Sequence, residues 1–158
     1  MASLNFEGRR ITFDPGDTIA SALFRAGVRT FSRSFKFHRR RGLYCVSGDC
    51  PNCMMTVDDN PGVRTCISPA VEGQTVSRDA GWPSAELDLF ASFWLLRRLL
   101  PVGFYYKTFI RPRAVWQLAE PLIRRLTGLG ALPLDTVPPH REVEHHHDEF
   151  LIIGAGVA

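Results

Sequence analysis

Four cysteines carry the chemistry of this chain: Cys45, Cys50, Cys53 and Cys66, spaced C-x4-C-x2-C-x12-C. The first three lie within "LYCVSGDCPNCMM", and the C-x4-C-x2-C interval is that of plant-type [2Fe-2S] ligation. A two-iron centre presents four thiolate positions, so three can come from one encircling loop while the fourth arrives from elsewhere in the fold. Other uses of the thiols set the alternatives. Structural zinc takes paired C-x2-C knuckles, and here only Cys50 and Cys53 make such a pair. Disulfides belong to oxidising compartments. A catalytic thiol needs a base, and His38 is the only histidine near the cysteines in sequence. Cluster binding accounts for all four thiols with none left over. Gly42 and Gly48 are small residues that let backbone N–H groups approach cluster sulfurs.

The elements that must position these thiols read as strands and turns around one helix. "LNFEGRRITF" is a hairpin, with Leu4 and Phe6 alternating before Glu7-Gly8 and Ile11 and Phe13 after it. "DPGDTIASALFRAGV" is a turn and a helix, N-capped by Asp17 or Thr18 and stopped by Gly27, with Ile19, Leu23 and Ala26 on its apolar face. "MMTVDDNPGVRTCIS" is a second hairpin turned by "DDNPG", and Cys66 on its returning strand is expected to bring the fourth thiol back to the loop.

Beyond residue 78 the texture changes. "GWPSAELDLFASFWLLRRLLP" reads as a helix starting near Pro83 and ended by Pro101. "GFYYKTFIRP" is aromatic and irregular. "RAVWQLAEPLIRRLTGLG" is a further helix, kinked or restarted at Pro121 and stopped near Gly128. "ALPLDTVPPHREVEHHH" is a Pro-rich polar linker, and His145, His146 and His147 read as an exposed part of it rather than a metal site. Trp94, Phe104, Tyr105, Tyr106 and Trp116 suit packing onto a neighbouring domain, with flavin contact as the alternative. The chain closes on "FLIIGAGVA".

Composition bounds the function. The 158 residues are 45% hydrophobic and carry a formal net charge of +3, enough apolar content for one folded domain with appended elements and too mild a charge to demand nucleic acid. Arg29, Arg33, Lys36, Arg39, Arg40 and Arg41 nevertheless crowd around His38. A solvated face or subunit contact is the plain reading of that stretch; tuning a nearby cluster or meeting a cofactor phosphate is the sharper one. No basic start with an apolar core marks the N-terminus as a secretory signal. The most apolar run, "LDLFASFWLL", is half of what a membrane span needs. A cytoplasmic location, with reduced thiols, is the expectation.

The hairpin, helix, cysteine loop and hairpin, in that order, resemble a β-grasp ferredoxin. More narrowly, "GDTIASALFRAGV", "RSFKFHRRRG", "GWPSAELDLF", "LPVGFYYKTF" and "EPLIRRLTGLG" resemble the N-terminal [2Fe-2S]-binding region of the sarcosine oxidase alpha-subunit family, over nearly the whole chain. The resemblance implies an α+β fold in three parts. Residues 1–78 form a ferredoxin-like domain, 79–147 a helical and aromatic connecting region with a Pro-rich linker, and 148–158 the first strand of a truncated Rossmann-type domain. It also implies electron transfer within a flavin-dependent amine or amino-acid oxidoreductase, related to hydrogen cyanide synthase and dye-linked proline dehydrogenases, with flavin-containing subunits as partners. In the sarcosine oxidases the cysteine positions are often replaced; retention of Cys45, Cys50, Cys53 and Cys66 places this chain nearer the cluster-containing dehydrogenases. Gly154 and Gly156 are the first two glycines of a G-x-G-x-x-G dinucleotide fingerprint. The third glycine, the helix and the ribose-binding acid are absent, so FAD or NAD is expected only in a longer chain, of which this is the N-terminal portion or a truncated frame. No residue here is expected to act on substrate bonds. A structural or assembly module without a working cluster, or a zinc domain, is the alternative.

Overall fold

The structure is a computed structural model that describes residues 2–96, 103, 113–128, 130, 142, 143, 145 and 147–150. Alternation of apolar and polar residues builds its first hairpin. Strand β1 (Ala2–Phe6) pairs antiparallel with β2 (Arg9–Phe13), Leu4 opposite Ile11. Leu4, Phe6, Ile11 and Phe13 are all buried on the same face, as a period of two requires. The reversal at Glu7-Gly8 uses left-handed backbone at both residues, the requirement of a two-residue hairpin turn.

Helix α1 (Ile19–Arg25) begins at a capping box. The Thr18 hydroxyl accepts from the Ser21 N–H at 3.1 Å, and the Ser21 hydroxyl accepts from the Thr18 N–H at 3.0 Å. Thr18, not Asp17, is therefore the cap. Asp17 instead accepts from the Asp14 N–H and the Ser21 hydroxyl and pairs with Arg25. The buried face is Ile19, Ala20, Ala22 and Leu23. Ala26, expected on that face, is exposed, because it is the C-cap and the chain turns there into Gly27 at φ +90°.

The second hairpin is β5 (Met54–Val57) and β6 (Asn60–Arg64). Two further strands, β3 (Ser32–Arg33) and β4 (Arg40–Arg41), form a separate small ribbon within the basic stretch. Strand β7 (Thr75–Ser77) lies parallel to β1 and antiparallel to β5. The main sheet thus runs β2-β1-β7-β5-β6. Ile19 and Leu23 of α1 join Phe31, Met55 and Val76 in one core against it. A mixed sheet holding one helix in this way has the β-grasp arrangement expected of the first part of the chain.

Past the sheet, the expected helix from Pro83 does not form in its first half. The Trp82 carbonyl accepts from the Leu89 N–H at 2.8 Å and the Leu87 carbonyl from the Ser84 N–H at 3.1 Å. The Asp88 carboxylate takes the Trp82 and Phe90 amides, each at 3.1 Å. A side chain that captures nearby amides in this way competes with the helical ladder, and only a 3₁₀ helix, Leu89–Leu96, follows. Helix α2 (Arg113–Thr127) does form, with Pro121 inside it, and Gly128 beyond it has φ +63°. Pro101, the aromatic run Phe104, Tyr105 and Tyr106, His146, and Gly154 and Gly156 lie outside the described residues.

Candidate metal centre

Two turns and the α1 N-terminus bring the four cysteines together. Cys45 follows β4 closely, Cys53 directly precedes β5, and Cys66 lies just past the end of β6, in a turn rather than on the returning strand itself. That turn is held by the helix. The first amides of α1 lack partners within their own helix; those of Ile19 and Ala20 donate to the Ser68 and Thr65 carbonyls at 2.9 and 3.0 Å. Thr65 then reaches across to the cysteine loop. Its hydroxyl and its amide both donate to the Cys53 carbonyl, at 2.7 and 3.3 Å. Thr65 is fully buried, so this link between the third and fourth cysteines is shielded from water.

All four cysteines are free thiols, Cys45 and Cys50 half-buried, Cys53 and Cys66 buried. They interact as two pairs. The Cys50 N–H donates to the Cys45 sulfur at 3.3 Å, and the Ser47 backbone N–H, together with the Cys50 thiol, lowers the Cys45 pKa to about 6. On the other side, burial pushes the Cys66 thiol up to about 11, helped by its hydrogen bond to Cys53 and by the negative charge there. The Gly48 backbone N–H acts in the opposite sense on Cys66, and charge at Cys45 adds to the rise. Among the described residues no group of three metal-ligating side chains surrounds a single-ion position.

The cysteine loop has the local backbone that such a site needs. Val46 and Gly48 are left-handed, at φ +57° and +83°. Glycine at position 48 is favoured by its left-handed conformation; a Cβ there would meet only the movable tip of the exposed Ile67 side chain, at 2.8 Å. Gly42 is tight for another reason: a Cβ there would meet the Arg29 carbonyl at 3.0 Å. Amides directed at sulfur stabilise thiolate charge. Four free thiols in two pairs, with backbone N–H groups at Cys45 and Cys66, are a donor set that fits a [2Fe-2S] cluster.

The basic stretch before Cys45 is less solvated than its composition suggests. Arg33 and His38 are buried, at 7% and 2% exposure, because Asp88 meets both. His38 Nδ1 lies 2.8 Å and Arg33 Nε 3.4 Å from Asp88 Oδ2. Sequence reasoning singled out these side chains and missed the carboxylate, which lies 50 positions from His38. A cavity of about 470 Å³ lies between Pro51 and Met54 on one side and Trp116 and Ile123 of α2 on the other, with no cysteine among its described lining residues. Asp79 on its wall has a raised pKa through burial, while the Thr56 hydroxyl donates to it at 2.6 Å. His145 and His147 are exposed.

Known proteins resemble the chain over the same residues. Sarcosine oxidase subunit alpha of Rhizobium meliloti (strain 1021) is 39% identical over 98% of this chain, which spans 16% of that protein. The subunit of the same name from Corynebacterium sp. (strain P-1) is 26% identical over 98% of this chain and 12% of its own length. The chain therefore spans less than a fifth of these curated relatives. Among solved structures, L-proline dehydrogenase from P. horikoshii overlays with a TM-score of 0.44 at 22% identity, over 52% of this chain and 16% of that one. Residues 1–81, which contain the whole thiol site, match the model of the 2Fe-2S iron-sulfur cluster binding domain, and the chain belongs to that family.

Proposed function

We propose that this chain is an electron-transfer module in which Cys45, Cys50, Cys53 and Cys66 hold a [2Fe-2S] cluster. The observation that carries the reading is four free thiols on one loop and one turn, with the Cys50 amide on the Cys45 sulfur and Thr65 joining Cys53 to the Cys66 turn. When bound, such a cluster supplies one-electron transfer. The protein residues have separate tasks. The Ser47, Gly48 and Cys50 amides favour thiolate at the sulfurs they face. Thr65 fixes Cys53 relative to the Cys66 turn. The buried positions of Cys53 and Cys66 keep water from one side of the site, while Cys45 and Cys50 face outward, the side from which an electron would enter or leave.

The larger setting follows from the relatives. Both curated ones are named sarcosine oxidase subunit alpha, which supports a place at the front of an alpha-type subunit in a flavin-dependent amine or amino-acid oxidoreductase with flavin-containing partner subunits. In that setting residues 1–78 are the cluster domain and 79–147 the connecting region. Residues 148–158, with Gly154 and Gly156, open a dinucleotide-binding domain that takes FAD or NAD only in a longer chain. Free thiols suit the cytoplasm, and no described helix is long and apolar enough to cross a membrane. The test is Cys66→Ser in the assembled enzyme. Electron delivery to an acceptor dye should be lost while subunit assembly, followed by size-exclusion chromatography, is retained. Unchanged turnover would contradict the reading and leave the module a structural role.

A further inference from the structure

The buried carboxylate of Asp88 lies outside the matched residues 1–81, yet it is the hub of the contacts around the β3–β4 ribbon. Its side chain is 0% exposed. Oδ1 accepts from the Trp82 and Phe90 amides, and Oδ2 faces His38 Nδ1 and Arg33 Nε. Arg33 is held further by three carbonyls: Nε donates to Ala85 at 2.7 Å, Nη1 to His38 at 2.6 Å and Nη2 to Glu86 at 3.0 Å. Arg40, on the other strand of the ribbon, also donates to the Glu86 carbonyl, at 2.8 Å. Segment 82–90 therefore grips both strands of a ribbon whose own strands are two residues long, too short to hold a fixed shape alone.

That ribbon is tied to the cysteine loop at both ends. Strand β4 runs through Gly42, Leu43 and Tyr44 straight into Cys45. From β3 the Ser32 hydroxyl donates to the Asn52 carbonyl at 2.7 Å, between Cys50 and Cys53. We propose that Asp88 and Ser32 are positioning residues for the cluster: segment 82–90 clamps the β3–β4 ribbon through Asp88, and the ribbon holds the cysteine loop through Ser32. The connecting segment is thereby part of the cluster site and more than a spacer to the next domain. The inference rests on the proposed cluster binding at the four cysteines.

The experiment loads the full chain with iron and sulfide without oxygen, then follows loss of visible absorbance in EDTA. Asp88→Asn keeps the size of the side chain and removes the charge that Arg33 and His38 face. It should release iron about tenfold faster than wild type or more. Ser32→Ala should release it about fivefold faster. Ser32→Thr keeps the hydroxyl and should stay within about twofold of wild type. The electron paramagnetic resonance line shape of the reduced protein should shift in D88N and S32A and not in S32T, a change that a general loss of fold stability does not produce. D88N releasing iron at the wild-type rate overturns the clamp. S32A releasing at the wild-type rate overturns the link to the loop even if D88N fails to fold, because Ser32 lies outside the Asp88 knot. S32T releasing as fast as S32A overturns the role of the hydroxyl. Failure of the wild-type chain to take up iron would instead contradict the cluster reading itself.

Discussion

At the residue scale the four thiols are chemically unequal: backbone amides lower Cys45 and burial raises Cys66. Cys45 receives the Ser47 and Cys50 amides and is lowered to about 6, whereas burial raises Cys66 to about 11. Thiolate is the nucleophile. In the metal-free chain at pH 7, iodoacetamide should therefore label Cys45 first and leave Cys66 unlabelled, as mass spectrometry of the cysteine peptides would report. Below pH 6 the Cys45 rate should fall about tenfold per unit, since a lowered pKa places its loss of thiolate there. Equal labelling of Cys45 and Cys66 would contradict the geometry. The identity of the four ligand candidates was legible in the C-x4-C-x2-C-x12-C spacing. Their inequality was not, because it depends on which amides meet Cys45 and on how deeply the fold buries Cys66.

At the scale of elements, local signals read well and non-local ones poorly. The β1–β2 hairpin was visible in its alternation and in Glu7-Gly8, and α1 in Thr18 and Gly27. Strand β7 carries only three residues and exists because β1 and β5 flank it; no pattern within Thr75–Ser77 announces that. Strands β3 and β4 are shorter still and lie in a run that reads as charge. The sequence from Pro83 reads as helix because nothing local shows that Asp88 captures the Trp82 and Phe90 amides. Arg78 shows how such distant pieces are fastened. Its guanidinium pairs with Glu7 at 2.5 Å and Glu86 at 2.6 Å, donates to the Thr30 carbonyl at 3.0 Å and lies 5.1 Å from the Phe6 ring centre. With 6% of its side chain exposed, Arg78→Ala should cost about 2–4 kcal/mol in urea unfolding. Arg78→Lys should recover only part, since an ammonium lacks the fork that reaches three partners. A loss under about 0.5 kcal/mol would mean that these bonds merely replace water.

For the whole molecule, the sheet, α1 and the Cys66 turn are one construction. The core of Leu4, Leu23, Met55 and Val76 fixes the helix against the sheet, the helix amides fix the Cys66 turn, and Thr65 fixes that turn to Cys53. The order of elements and the thiol spacing made this much legible as a β-grasp 2Fe-2S domain. What lay beyond reach was the connecting segment's grip on the basic ribbon, a contact between residues about 50 positions apart. The central claim concerns what the thiols hold, and metal and sulfide analysis of protein purified without oxygen tests it most directly. The account predicts about two iron and about two acid-labile sulfide per chain, lost together in Cys66→Ser. A colourless, iron-free protein carrying about one zinc per chain would contradict it.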